Sequence, residues 1–189
     1  MNAALPNFVA FQINWFANIL GAANVVPWLG PLVTTLWMVA HFASFRGPNR
    51  RSEVRTEGSV IVFAAALGWL ADSALVLAGL LQFPEYTRLG QPSPLWMMAL
   101  WIGFAATLRH CLGWLRGRWL LGAVLGAIGG PLAYAGGAAF GVIELAGNSA
   151  FAAVSLQYAL ATPMLLGVIW LRQSTVPETR NDSPTEVRT

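Results

Sequence analysis

Six apolar runs, covering roughly 6–24, 27–45, 58–83, 95–115, 119–143 and 150–171, take up most of this sequence. Each is near or above the ~20 helical residues that a ~30 Å hydrocarbon core requires. A backbone in that solvent must satisfy its own polar groups, so runs of this kind cross as helices. Composition agrees. Hydrophobic residues make up 56% of the chain and charged ones 10%, against about 25% charged in a soluble domain. Mean hydropathy is +0.57, and the nine tryptophans suit membrane interfaces. The expected fold class is all-α: an integral membrane bundle of about six transmembrane helices. Residues 1–172 form this polytopic domain, and 173–189, "QSTVPETRNDSPTEVRT", form a disordered cytoplasmic tail with no apolar face to bury.

The connections set the orientation. Every basic residue is an arginine. Arg46, Arg50, Arg51 and Arg55 fall in the second connection, "RGPNRRSEVRTEG", Arg116 and Arg118 in the fourth, and Arg172, Arg180 and Arg188 at the tail. Only Arg88 falls in an odd-numbered connection. Cytoplasmic loops carry the excess of basic residues, so both termini and the even loops are expected to be cytoplasmic. Six spans and two cytoplasmic ends are mutually consistent. The opening "MNAALPNFVAFQ" lacks the basic start of a cleavable signal peptide, so the first run is read as a retained helix. Ser93-Pro94 can open the fourth helix as N-cap and first turn.

Arg109 and His110 interrupt the fourth run, "PLWMMALWIGFAATLRHCLGWL". On a helix, His110 shares a face with Gly103, Ala106, Thr107 and Gly113, a small and polar face suited to helix packing. Arg109 is turned about 100° away, beside Met98, Ile102, Ala105, Leu112 and Arg116. The expectation is that His110 is held inside the bundle while Arg109 snorkels to the cytoplasmic interface and is replaceable by lysine.

Asp72 is the costliest residue, about 2.5–3.5 kcal/mol at a helix centre on insertion scales. Its helical neighbours Ala65, Gly68 and Gly79 direct it inward. It is either a functional acid or a structural one tying helices together. With no cation well placed, it is expected to be neutral or hydrogen-bonded, so that Asp72→Asn folds normally. Asn7, Asn14, Asn18 and Gly21 line one face of the first helix, as hydrogen-bonding glue or as part of a site. His41 reads as an interfacial or capping residue. Tyr134 interrupts the fifth run, and Gln157 and Tyr158 the sixth. The candidate ligand-binding set is Asn14, Asn18, Asp72, His110, Tyr134 and Gln157. Gly122, Gly126 and Gly130 form a helix-packing stripe. Pro131 should kink the fifth helix and free the carbonyl four residues back, through tight packing or as a broken helix beside a cavity.

Several function classes are excluded. The net charge of +3 is not gathered into a phosphate-binding face, so no nucleic acid is expected. A single cysteine, Cys111, precludes an internal disulfide. The metal-protease, nucleophile-elbow, P-loop and dinucleotide fingerprints are all missing. Two histidines, one cysteine and one central acid make a thin set for a metal, so no metal, no cofactor and no catalytic residue is assigned.

"NFVAFQINWFANILGAA", "PLWMMALWIGFAATLRHCLGWL" and "GAIGGPLAYAGG" resemble a family of small bacterial inner-membrane proteins classed as a domain of unknown function. The resemblance covers nearly all of the chain except the tail. Similar proteins are often encoded near cyclopropane-synthase-like methyltransferases and other lipid-modifying genes. It implies an inner-membrane protein accessory to lipid or fatty-acyl modification, with membrane lipids and lipid-modifying proteins as partners. It supplies no catalytic residues. Binding of a lipid or apolar small molecule is the leading expectation. A proton-linked transporter using Asp72 and His110, and a membrane-embedded enzyme acting on acyl chains, are the alternatives.

Overall fold

The computed structural model describes residues 4–174 and is helical almost throughout. Its six helices are α1 (Ala4–Ala23), α2 (Leu29–Ser44), α3 (Arg50–Leu77), α4 (Leu95–Leu108), α5 (Trp119–Ala139) and α6 (Gly147–Ser174). The expected tail lies outside the described residues beyond Ser174. α4 packs against α1, α2 and α3. α3 also packs against α6, and α6 packs against α5.

The distribution of polarity is inverted relative to a soluble domain. Asn14, Asn18, Asp72 and Glu57 are buried almost completely, while Leu5, Val62, Leu77, Leu120 and Leu132 are each at least 66% exposed. Apolar faces turned outward and polar groups turned inward suit a bundle whose surroundings are hydrocarbon. By length and composition, α3, α5 and α6 can cross a membrane, whereas α2 and α4 are apolar but shorter.

Two helix ends depart from the expected runs for the same local reason. Gly79, at φ +70°, closes α3: its N–H donates to the Val76 carbonyl at 3.0 Å and the Leu80 N–H to Leu75 at 2.9 Å. Gly141, at φ +75°, closes α5 through the equivalent bonds from Gly141 to Ala138 and from Val142 to Gly137. Both are Schellman motifs, which need a left-handed residue. The freed segments, β1 (Leu81–Gln82) and β2 (Glu144–Leu145), then pair antiparallel and tie the two loops together.

α4 is much shorter than its apolar run. The amides of His110 and Leu112 both donate to the Thr107 carbonyl, and a short 3₁₀ turn at Gly113–Leu115 follows. At its other end α4 starts at Leu95 with Pro94 in the N-cap position and no side-chain cap. The Ser93 carbonyl instead accepts from the Trp69 indole at 3.0 Å. α3 departs in the opposite sense: it begins at Arg50, so most of the expected charged loop is helix.

Pro131 sits inside a continuous α5. It has no N–H for the Ala127 carbonyl, and Ser155 of α6 donates its hydroxyl to that oxygen at 2.7 Å. Gly122, Gly126 and Gly130 all lie against α6, where an added Cβ would meet Leu166, Tyr158 and Thr162. Ser155→Ala is expected to lower stability by about 1 kcal/mol, the usual value of one such bond. Thermal unfolding in detergent reads this directly. An unchanged midpoint would mean that the Ala127 carbonyl is satisfied another way.

Candidate functional site

The interior polar residues fall into three clusters, one of which borders a cleft. Between α1 and α2, the Thr34 hydroxyl donates to Asn14 Oδ1 at 2.5 Å, and Asn18 Nδ2 donates to Thr34 Oγ1 at 3.3 Å. Gly30 lets α2 approach: a Cβ there would overlap Asn18. Asn7 donates to the Ala106 carbonyl of α4 at 3.1 Å. These bonds join neighbouring helices.

The second cluster is centred on Asp72 of α3. Oδ1 accepts from the Tyr134 hydroxyl of α5 at 2.5 Å and from Gln157 Nε2 of α6 at 2.6 Å. Oδ2 accepts from Trp101 Nε1 of α4 at 2.9 Å. One carboxylate thus holds four helices. Gly68, one turn before it, leaves room for the Trp101 ring, which a Cβ at that position would overlap. Tyr158 stacks on Trp101 with centroids 4.5 Å apart, and its ring meets Tyr134 edge-on. Among the described residues no cation pairs with Asp72; His41, Arg109 and His110 all converge on Glu57 instead.

Beside this cluster lies a cleft of about 490 Å³ between α1 and α5, floored by α4 and α6. Phe11, Trp15, Phe16, Leu100, Phe104 and Leu125 give it apolar walls, and Gln12, Tyr134, Tyr158 and Thr162 are the polar residues of its lining. Gly129 and Ala133 also line it, and a Cβ on Gly129 would meet nothing within 4 Å. Small residues on α5 therefore serve two faces: one packs on α6 and the other keeps the cleft open.

The third cluster is built on Glu57, 1% exposed. Arg109 Nη1 donates to Oε2 at 2.8 Å, His41 Nε2 lies 2.9 Å from Oε1, and His110 Nε2 lies 3.7 Å from the same oxygen. The expected roles of Arg109 and His110 are corrected here. Arg109 is not a lipid-facing anchor: its side chain is 15% exposed and paired, while that of His110 is 25% exposed. The face argument assumed a helix through Leu115. Because α4 stops at Leu108, residues 109 and 110 lie in a turn that points both side chains at α3. His41 is likewise buried and paired rather than interfacial.

The six expected pocket residues are thus not one pocket. Tyr134 and Gln157 both bond to Asp72, Asn14 and Asn18 belong with Thr34, and His110 belongs with Glu57. Of the six, Tyr134 lines the cleft. Sequence reasoning missed Glu57 and Trp101. The signal for Glu57 was available: Glu57, Ile61, Ala64, Gly68 and Asp72 recur at helical spacing, and all five are buried. One ring nitrogen each of His41 and His110 and a carboxylate oxygen of Glu57 lie within 4.8 Å of one another, close enough to share a metal ion.

Over residues 4–171 the chain matches the family described as "Protein of unknown function (DUF2878)", and it belongs to that family. No curated protein and no solved structure matches it.

Proposed function

We propose that this chain is a six-helix bundle of the bacterial inner membrane, with both termini cytoplasmic, that binds a lipid acyl chain or an apolar small molecule in the cleft between α1 and α5. In this reading it is an accessory to lipid or fatty-acyl modification. The observation that carries the proposal is the cleft. Its volume falls within the range of small-molecule sites, and apolar walls with a few convergent polar groups are their usual lining. Gln12, Tyr134, Tyr158 and Thr162 are the polar residues of its lining, and Asp72 holds Tyr134 in place by accepting from its hydroxyl. The outward apolar faces support the membrane setting. The transport alternative rests on Asp72 and His110 acting together, yet they belong to separate clusters with separate partners.

Gly129→Leu tests the cleft, because the added side chain enters open space rather than a neighbour. Protein extracted from its native membrane is expected to carry an acyl lipid or apolar molecule detectable by mass spectrometry. Gly129→Leu should lower its occupancy several-fold with little change in unfolding midpoint. Equal occupancy in both proteins would remove the cleft from the proposal.

A further inference from the structure

We propose that His41, Glu57 and His110 form a binding site for a divalent first-row transition ion, with Zn²⁺ or Fe²⁺ as the chemical class. The site is separate from the cleft and independent of the lipid reading. Two imidazoles and one carboxylate are a recurrent donor set for such ions, and three protein ligands leave further positions open to water or substrate.

The geometry points to a shared ion. Ligands about 2.0–2.1 Å from a tetrahedral centre lie about 3.3 Å from one another. The two histidine nitrogens lie 2.9 and 3.7 Å from Glu57 Oε1, on either side of that value. The two imidazoles stand at 89° with centroids 5.0 Å apart. That is close to the separation of two rings bound through Nε2 to one centre. His110 Nε2 is buried without a hydrogen-bond partner. A plain histidine–glutamate hydrogen bond explains His41 but leaves that nitrogen unexplained, and an unpaired buried polar atom is costly.

Arg109 completes the arrangement. It takes Oε2 at 2.8 Å, which fixes the carboxylate and directs Oε1 toward the histidines. Partners of this kind orient metal ligands and tune affinity. The three ligands come from α2, α3 and the turn after α4, so the ion would bridge three segments of chain.

Cobalt(II) is a suitable probe, because its visible bands report nitrogen and oxygen ligation. The full chain in detergent, stripped with a chelator, is expected to bind about one Co²⁺ per chain with these bands, and Zn²⁺ should displace it. His110→Gln, the change at the least buried ligand, should weaken Co²⁺ binding by at least the roughly 10–100-fold typical of losing a mere supporting contact. Cys111→Ser should leave the bands in place. Wild-type protein with no saturable Co²⁺ binding, or His110→Gln binding as tightly as wild type, overturns the site. His41→Gln repeats the test should His110→Gln fail to fold.

Discussion

Glu57→Ala is expected to destabilise the protein by about 3–5 kcal/mol, the cost of leaving one partner of a buried ion pair uncompensated. Arg109 would keep its charge in a largely closed site, facing two imidazoles and no anion. The measurement is thermal unfolding in detergent with a chelator present, so that metal binding does not contribute. The pair itself is not a large net stabiliser, because both charges lost water when they were buried. Glu57→Leu combined with Arg109→Leu should therefore recover most of the loss. A double variant as unstable as Glu57→Ala would show that the ion pair is not the source.

Asp72→Leu is the second large effect. It orphans three donors at once: the buried Trp101 Nε1 and Tyr134 hydroxyl, and the part-buried Gln157 Nε2. An unsatisfied buried donor costs about 1–3 kcal/mol, so a total loss of at least about 3 kcal/mol is expected. Asp72→Asn should be milder but not silent, in contrast to the expectation from sequence. Its carbonyl can replace Oδ1 toward Tyr134 and Gln157. Its amide then faces the Trp101 N–H, donor against donor, at a cost of about 1–3 kcal/mol. Unfolding midpoints ranked wild type, Asp72→Asn, Asp72→Leu are the expected result. Equal midpoints for Asp72→Asn and wild type would show that the Trp101 contact contributes nothing.

Helix content and number were legible because apolar runs of this length leave few alternatives. The starts of α5 and α6 and the extent of α1 and α2 fall within three residues of the expected positions. The ends that failed share a cause. Composition was read where local chemistry decides. Gly79 and Gly141 stop helices that remain apolar on both sides, and the turn after Leu108 falls at Arg109 and His110, which were read as a continuation of the helix. Conversely, charged residues from Arg50 to Glu57 looked like loop but continue α3. The Asp72 cluster was half visible. The acid and two of its partners stood out as polar groups in apolar runs, but Trp101 reads as ordinary membrane tryptophan until its N–H is seen on the carboxylate. The Glu57 cluster was hidden because Glu57 was assigned to a loop, His41 and Arg109 to an interface, and His110 to a pocket with Asp72.

The four helices joined at Asp72 also impose an order on how the chain is made. Its partners lie 29, 62 and 85 residues further along. At about 5–20 residues per second, roughly 4–17 s separate synthesis of the acid from synthesis of Gln157. Throughout that interval a nascent α3 carries an incompletely satisfied carboxylate. In a membrane-inserting chain, that is a reason for α3 to linger at the insertion machinery until α6 emerges. A ribosome-bound chain stalled before residue 134 would then crosslink to that machinery through α3, and one carried past residue 157 would have let go.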